Sequence, residues 1–155
     1  MNKIKIIVLV LLSAGVIYSC KDKNKDPEPP KTTVSTKTKQ QFLSDTTWKV
    51  SGFKASGTDI WNTPFVSACD KDNTYKFKLS NVLTSFDLPS KCNPTDPDST
   101  NSAYKLIGND KMYINLKLTG TIIIDDTSDI NVLDATTMEL KVKYSGIDGV
   151  VTFKH

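Results

Sequence analysis

The stretch Met112-Tyr113-Ile114-Asn115-Leu116-Lys117-Leu118 decides the fold class, because a large apolar residue occupies every second position. Successive side chains of a β-strand point to opposite faces, so this alternation predicts a strand with one buried face. The same pattern recurs over 75–79, 82–88, 138–144 and 151–153, and shorter candidates lie at 46–51, 102–107 and 122–124. The sequence therefore predicts about eight strands. The residues expected to face the core in the two segments after residue 74 are Tyr75, Phe77, Leu79, Val82, Thr84, Phe86 and Leu88.

Residues typical of tight turns separate these segments. They are Ser80-Asn81, Gly108-Asn109-Asp110, Thr119-Gly120, Asp125-Asp126 and Asp148-Gly149. The best helical pattern is short, over 37–43, and lies just before the first strand. Consecutive short strands joined by tight turns predict an all-β antiparallel meander, either a barrel or a sandwich. We favour a single up-and-down barrel, because closure removes the strand edges that would promote aggregation.

The first nineteen residues have the pattern of an export signal. Lys3 and Lys5 precede an apolar run over 6–17, which as a helix would rise about 18 Å, well short of a hydrocarbon core of about 30 Å. A charged start followed by a short apolar run is typical of a cleaved signal peptide, here 1–19.

The residues Ile17-Tyr18-Ser19-Cys20 resemble the bacterial lipobox. The resemblance implies that Cys20 becomes the first mature residue and carries acyl chains such as palmitate, which anchor the protein in a membrane. Lys21 at the second mature position resembles a signal for transport to the outer membrane, on its periplasmic or cell-surface face. An ordinary signal peptide with an accidental Cys20 is the alternative.

Residues 20–41 are predicted to be the lipidated Cys and a solvated tether. Val34 is the only large apolar residue within 21–41, and Pro27, Pro29 and Pro30 favour extended backbone. The segment 21–41 has six Lys and three acids, or +3, whereas the predicted domain 42–155 has 12 Lys and 14 acids, or −2. The basicity of the chain thus lies outside the domain, and we predict no nucleic-acid binding. The tether lysines give solubility or, alternatively, a weak attraction to anionic headgroups.

Two cysteines remain after lipidation, Cys69 and Cys92. The compartment beyond the inner membrane is oxidising, so this pair is predicted to form a disulfide. Closing a loop of this length contributes about 3.4 kcal/mol in the chain-entropy treatment. Metal binding by the two thiols is not expected, because no third or fourth ligand of the usual kind accompanies them.

The sequence Cys69-Asp70-Lys71-Asp72-Asn73-Thr74-Tyr75-Lys76-Phe77, followed by Lys91-Cys92-Asn93-Pro94, resembles the lipocalin-like domains of small lipoproteins in Gram-negative bacteria. Those domains open on a strand with Trp-Lys, like Trp48-Lys49, and have an apolar loop with a Trp before the first Cys, like Trp61. The resemblance covers roughly 46–155 and implies a lipocalin-like barrel. The sequence departs from lipocalins proper at Thr46, where they have Gly. It also lacks the Arg that lipocalins pack from the last strand across the Trp, so Lys143 or Lys154 is expected to cover the Trp48 ring.

Three classes of function follow, and the sequence leaves two of them open. In the first, the barrel binds a small apolar ligand. In the second, it is a non-catalytic structural or interaction protein with a filled interior, accessory to an envelope assembly. The sequence does not identify the protein partner in that assembly. The predicted ligand-binding residues are Trp48, Phe53, Trp61, Phe65, Tyr75 and Phe77; the alternative is that these aromatic residues simply form the core.

An enzyme is not expected, and no catalytic residue or cofactor is predicted. The only His is His155, and Arg is absent, so the usual general base and bidentate anion recognition are missing. Asp70 with Asp72, and Asp96 with Asp98, lie in loops near the predicted disulfide and together could hold Ca²⁺. Loop Asp residues more often cap turns, so no metal site is predicted.

Overall fold

Nine strands form one antiparallel sheet in the computed structural model, which describes residues 37–87 and 89–155. The strands are β1 Trp48–Ala55, β2 Thr58–Asp59, β3 Thr74–Phe77, β4 Val82–Phe86, β5 Ser99–Ile107, β6 Lys111–Lys117, β7 Ile123–Leu133, β8 Thr137–Tyr144 and β9 Ile147–Lys154. Apart from β2, which pairs only with the end of β1, each strand pairs with its neighbours along the chain, and β1 also pairs with β9. The sheet therefore closes into an eight-stranded barrel, as the alternation predicted.

The signal peptide 1–19, Cys20, the tether up to residue 36, and Leu88 lie outside the described residues. The predictions made for them stay predictions. Within the described residues, no helix has the length and the apolar character needed to cross a membrane.

Helix α1, Lys39–Ser44, confirms the helical pattern seen before the first strand. A capping box formed by Thr38 and Gln41 fixes its start, and Leu43 is fully buried. Gln40 Nε2 donates to the Tyr104 hydroxyl at 2.6 Å, and Trp48 Nε1 donates to the Leu43 carbonyl at 3.0 Å. The Gln40 contact links a residue of the predicted tether to the barrel.

Two predicted turns are wrong, because strand register extends through them. Asp125 and Asp126 pair with Asn115 and Ile114 inside β7. Asp148 and Gly149 pair with Lys143 and Val142 inside β9. The register Tyr144–Ile147 leaves a two-residue turn at Ser145-Gly146, whose φ values of 49° and 79° are those that a type I′ hairpin requires.

The predicted inward phase of β4 is also wrong. Phe77 pairs with Leu83, so the two side chains share the barrel interior, and Leu83 is 1% exposed. Of the residues predicted to point inward, Val82 and Phe86 are only partly buried, and only Thr84 is buried. Leu79 lies in the β3–β4 turn and is 68% exposed. The turn at 78–81 sets this register, with Asn81 at φ 63°.

Candidate functional site

The predicted ligand-binding aromatics separate into a packed group and one outlier. Trp48, Phe53, Trp61, Tyr75 and Phe77 are at most 4% exposed and belong to the hydrophobic core. Phe65, by contrast, is 88% exposed, in the irregular segment between β2 and helix α2, Ala68–Lys71.

The core rings contact one another edge to face, which is the favourable geometry for aromatic pairs. Phe77 meets Tyr104 at a centroid distance of 4.9 Å and Phe153 at 6.4 Å, and Tyr75 meets Phe153 at 5.9 Å. In these positions the aromatic side chains fill the interior. The ring that packs against Trp48 is His155, at 5.6 Å, whereas Lys143 and Lys154 reach Asp148 and Thr137.

The predicted disulfide is present. Cys69 and Cys92 are bonded with an S–S distance of 2.00 Å and a Cα–Cα distance of 5.2 Å, and they join α2 to the loop between β4 and β5. The Ser67 hydroxyl lies 3.0 Å from the Cys69 sulfur and 3.3 Å from the Cys92 sulfur, and it donates to Asp70 Oδ2 at 2.6 Å. The two sulfurs and the Asp70 carboxylate are close enough to hold a metal ion, but the disulfide removes the thiolates that would ligate one.

A cleft of about 580 Å³ lies beside this bond, and we call it the disulfide cleft. It forms where β5 and β6 part: their pairing ends at Tyr104–Ile114, and Thr100 and Ser102 pair only with β4. A bond from Ser102 Oγ to the Asn115 carbonyl, at 2.7 Å, spans the gap. The polar side chains along the cleft include Asp70, Asn73, Ser85, Asp87, Asp96, Thr100 and Ser102.

Negative charge concentrates at the disulfide cleft. Burial raises the pKa of Asp87, and the carboxylates of Asp96, Asp72 and Asp70 raise it further, in that order, whereas Lys117, a lysine that also lines the cleft, lowers it. Asp98 instead pairs with Lys91 at 2.5 Å. The cleft therefore offers hydrogen-bond acceptors and carboxylates, which suit a cationic or donor-rich group.

Of the four Asp residues weighed for Ca²⁺, the structure brings Asp70 and Asp96 to the disulfide cleft. Asp72 Oδ1 and Asn73 Oδ1 are buried atoms that have no hydrogen-bond partner among the described residues. The absence of a metal site stays a prediction, and a calorimetric titration with Ca²⁺ tests it.

A second groove, of about 620 Å³, lies where β7 and β8 part beyond the Asp129–Lys141 pair. Its charged side chains are Lys54, Lys111, Lys141, Lys143, Asp126, Asp129 and Asp148. Two ion pairs lie within it, Lys111–Asp129 at 3.1 Å and Lys143–Asp148 at 2.6 Å, and in each the bonded carboxylate raises the pKa of the lysine. Lys54 and Lys141 form no ion pair within the described ranges.

The sequence reasoning missed the hydroxyl lining of the disulfide cleft. Thr100 and Ser102 lie four and two residues before the buried Tyr104 on the same strand, so their side chains point to the same face of the sheet. The two-residue period of the strand was therefore a signal from which the inward position of Thr100 and Ser102 could have been predicted. A scan against models of protein families and a search of curated proteins find no match to this chain.

Proposed function

We propose that the chain is a lipid-anchored envelope protein whose lipocalin-like barrel is a non-catalytic interaction module, accessory to a larger assembly. The observation that carries this proposal is the burial of the aromatic residues that would otherwise line a cup. Five of the six residues predicted to line an apolar cup are core residues at most 4% exposed, Phe65 being the exception, and most residues that line the two grooves are polar or charged. The lipobox resemblance of residues 17–20 supports the anchor, and the disulfide is consistent with an oxidising compartment.

The test is to purify the full chain from its native envelope and to analyse it by mass spectrometry. We expect an intact mass that includes acyl groups on a chain beginning at Cys20, and no small apolar molecule in stoichiometric amount. A chain that retains 1–19, or that lacks acyl mass, contradicts the anchor. A stoichiometric lipid that remains after extraction contradicts the filled module.

Tryptophan fluorescence gives an independent test of the filled interior. Trp48 and Trp61 are 0% and 4% exposed, so their emission reports any ligand that enters the core. We expect no change when a fatty acid or a retinoid-like probe is added. A saturable shift contradicts the proposal.

One observation favours the second candidate, a small apolar ligand bound at the barrel mouth. Phe65 presents a large aromatic surface to solvent, at 88% exposure, in an irregular segment. The Phe65→Ala variant tests it: loss of a saturable fluorescence response only in this variant supports a ligand at the mouth, and an unchanged response excludes Phe65 from binding.

A further inference from the structure

Six lysines share the outer face of four adjacent strands, and we call this surface the basic wall. It consists of Lys76 on β3, Lys49 and Lys54 on β1, Lys154 on β9, and Lys141 and Lys143 on β8. Each is exposed and alternates along its strand with buried side chains. The acids on the same outer face of these strands are Glu139 and Asp148, and Asp59 of β2 and Asp129 of β7 lie directly opposite Lys54 and Lys141. Six positive and four negative charges therefore give +2.

The register of the wall places like charges together. Lys49 lies directly opposite Lys154 across the β1–β9 pair that closes the barrel. Lys54 and Lys141 flank Val150 in a single row across β1, β9 and β8. Like charges directly opposite each other destabilise a sheet. Of the six lysines, only Lys143 has an ion-pair partner among the described residues. Because Asp59 and Asp129 lie opposite Lys54 and Lys141, the acids at the border of the wall offset its repulsion only in part.

The remainder of the domain carries the opposite charge. Residues 37–155 contain 14 Lys and 14 acids, or zero, so the part outside the wall and its bordering acids has 8 Lys and 10 acids, or −2. Asp70, Asp87 and Asp96 of this remainder line the disulfide cleft. A domain with separated charge of this kind turns its basic face toward an anionic surface before contact.

The side chains of the wall suit a lipid surface better than a protein surface. Most of the large apolar side chains that are exposed among the described residues lie in loops or on other strands. Ile147 lies on β9, but at a position that alternates with the wall and faces the interior. None of them therefore projects from the wall. Protein interfaces depend on aromatic and apolar anchors and are depleted in lysine. Lysine ammonium groups without such anchors suit the phosphates of anionic lipid headgroups.

We infer that the basic wall docks on the anionic headgroups of the membrane that holds the acyl anchor, an inference that rests on the proposed lipid anchoring. The acidic disulfide cleft is then left away from the headgroups and available to other components. The anchor keeps the domain near the membrane, and the wall sets its orientation there.

Lysine footprinting tests the inference on the full acylated chain. The protein is reconstituted in vesicles of phosphatidylcholine alone, or of about three parts phosphatidylcholine to one part phosphatidylglycerol, and labelled briefly with an acetylating reagent. We expect the wall lysines to react about fivefold more slowly on the anionic vesicles, and high salt to remove this protection. Lys105 and Lys117, exposed on β5 and β6, are internal controls whose rates change by less than about twofold.

Matched variants make the test specific. Replacing Lys49, Lys141 and Lys154 by Gln is expected to abolish the protection of Lys54 and Lys76, whereas K105Q/K117Q leaves it intact. Equal rates on both vesicles, or equal protection of the control lysines, overturns the inference. Protection in native envelopes but not on anionic vesicles identifies an acidic protein as the partner and also overturns it. The intact mass reports acylation separately, so a missing anchor and an undocked wall are distinguishable results.

Discussion

Gly149 tests whether the barrel closes as described, because it lies where β1, β9 and β8 meet. It pairs with Ala55 on β1 and with Val142 on β8. A Cβ atom added at Gly149 would lie 2.8 Å from the Lys54 carbonyl oxygen and 3.0 Å from Phe53 Cε2. The first of these neighbours is backbone, so it cannot rotate away, and the β1–β9 pair must shift to admit a methyl group.

The expected cost of Gly149→Ala follows from two opposing effects. Overpacking a well-packed site costs about 1–3 kcal/mol, and the backbone neighbour places this case toward the upper end. The loss of chain entropy in the unfolded state offsets about 0.4–1 kcal/mol. We therefore expect the free energy of unfolding to fall by about 2 kcal/mol, which lowers the urea midpoint by about 1 M.

Two glycines of the same domain are matched controls for urea titrations followed by tryptophan emission. The nearest side-chain atoms to a Cβ at Gly52 are 3.8 Å away, in ordinary contact, and a Cβ at Gly120 meets nothing within 4 Å. We expect Gly52→Ala and Gly120→Ala to raise the free energy of unfolding by about 0.4–1 kcal/mol, because the loss of chain entropy in the unfolded state acts there without overpacking. A midpoint for Gly149→Ala equal to that of Gly52→Ala would refute the close approach of β1 and β9.

Three further predictions concern the disulfide and the buried phenol. Replacing Cys69 and Cys92 by Ser should lower the free energy of unfolding by about 3 kcal/mol, and a urea midpoint that does not move would mean that other contacts hold the loop. Because Asp70 lies beside both sulfurs, anionic glutathione should reduce the disulfide several-fold more slowly than cationic cysteamine at low salt. Asp70→Asn should bring the two reduction rates closer together. A ratio of the two rates that does not change with salt argues against control by charge. Burial, with the charges of Asp70 and Asp87, raises the pKa of Tyr75. The contribution of this residue to stability is therefore complete below about pH 10. Above that pH the free energy of unfolding falls by up to about 1.4 kcal/mol per pH unit, because the Tyr75 phenol loses its proton in the unfolded chain but keeps it in the folded one. Tyr75→Phe should flatten that slope in urea titrations from about pH 9 to about pH 11, and an equal slope in the variant is the contrary result.

The barrel was predictable because the alternation of apolar side chains is a property of each strand by itself. The positions of the turns were less predictable, because they depend on register between strands. Asp125 suits a turn by composition, but within β7 it accepts a hydrogen bond from the Tyr113 hydroxyl of β6 at 2.7 Å. Likewise, Ser145-Gly146 becomes the hairpin turn only when Tyr144 and Ile147 pair.

The predicted disulfide followed from the cysteine count and the predicted compartment, and needed no knowledge of the tertiary structure. The clefts were not predictable in this way, because each forms where two adjacent strands part. Whether Thr100 and Ser102 pair with β6 or stand apart from it depends on the lengths of both strands and on the loop that joins β4 to β5. A single sequence gives the phase of these residues but not the opening between the strands.

The difference between a filled barrel and an open cup lies in which inward positions hold large side chains. An eight-stranded barrel is just wide enough for side chains to fill it, and here Phe77 is fully buried among Tyr104 and Phe153. Emptying such a site by Phe→Ala truncation costs about 3–5 kcal/mol. An apolar ligand that had to displace the Phe77 ring would lose a similar amount of binding free energy, or about two to three and a half powers of ten in affinity. The inward positions that do leave room, Thr100 and Ser102, carry hydroxyls, so a molecule that enters this barrel at low cost must be one that forms hydrogen bonds.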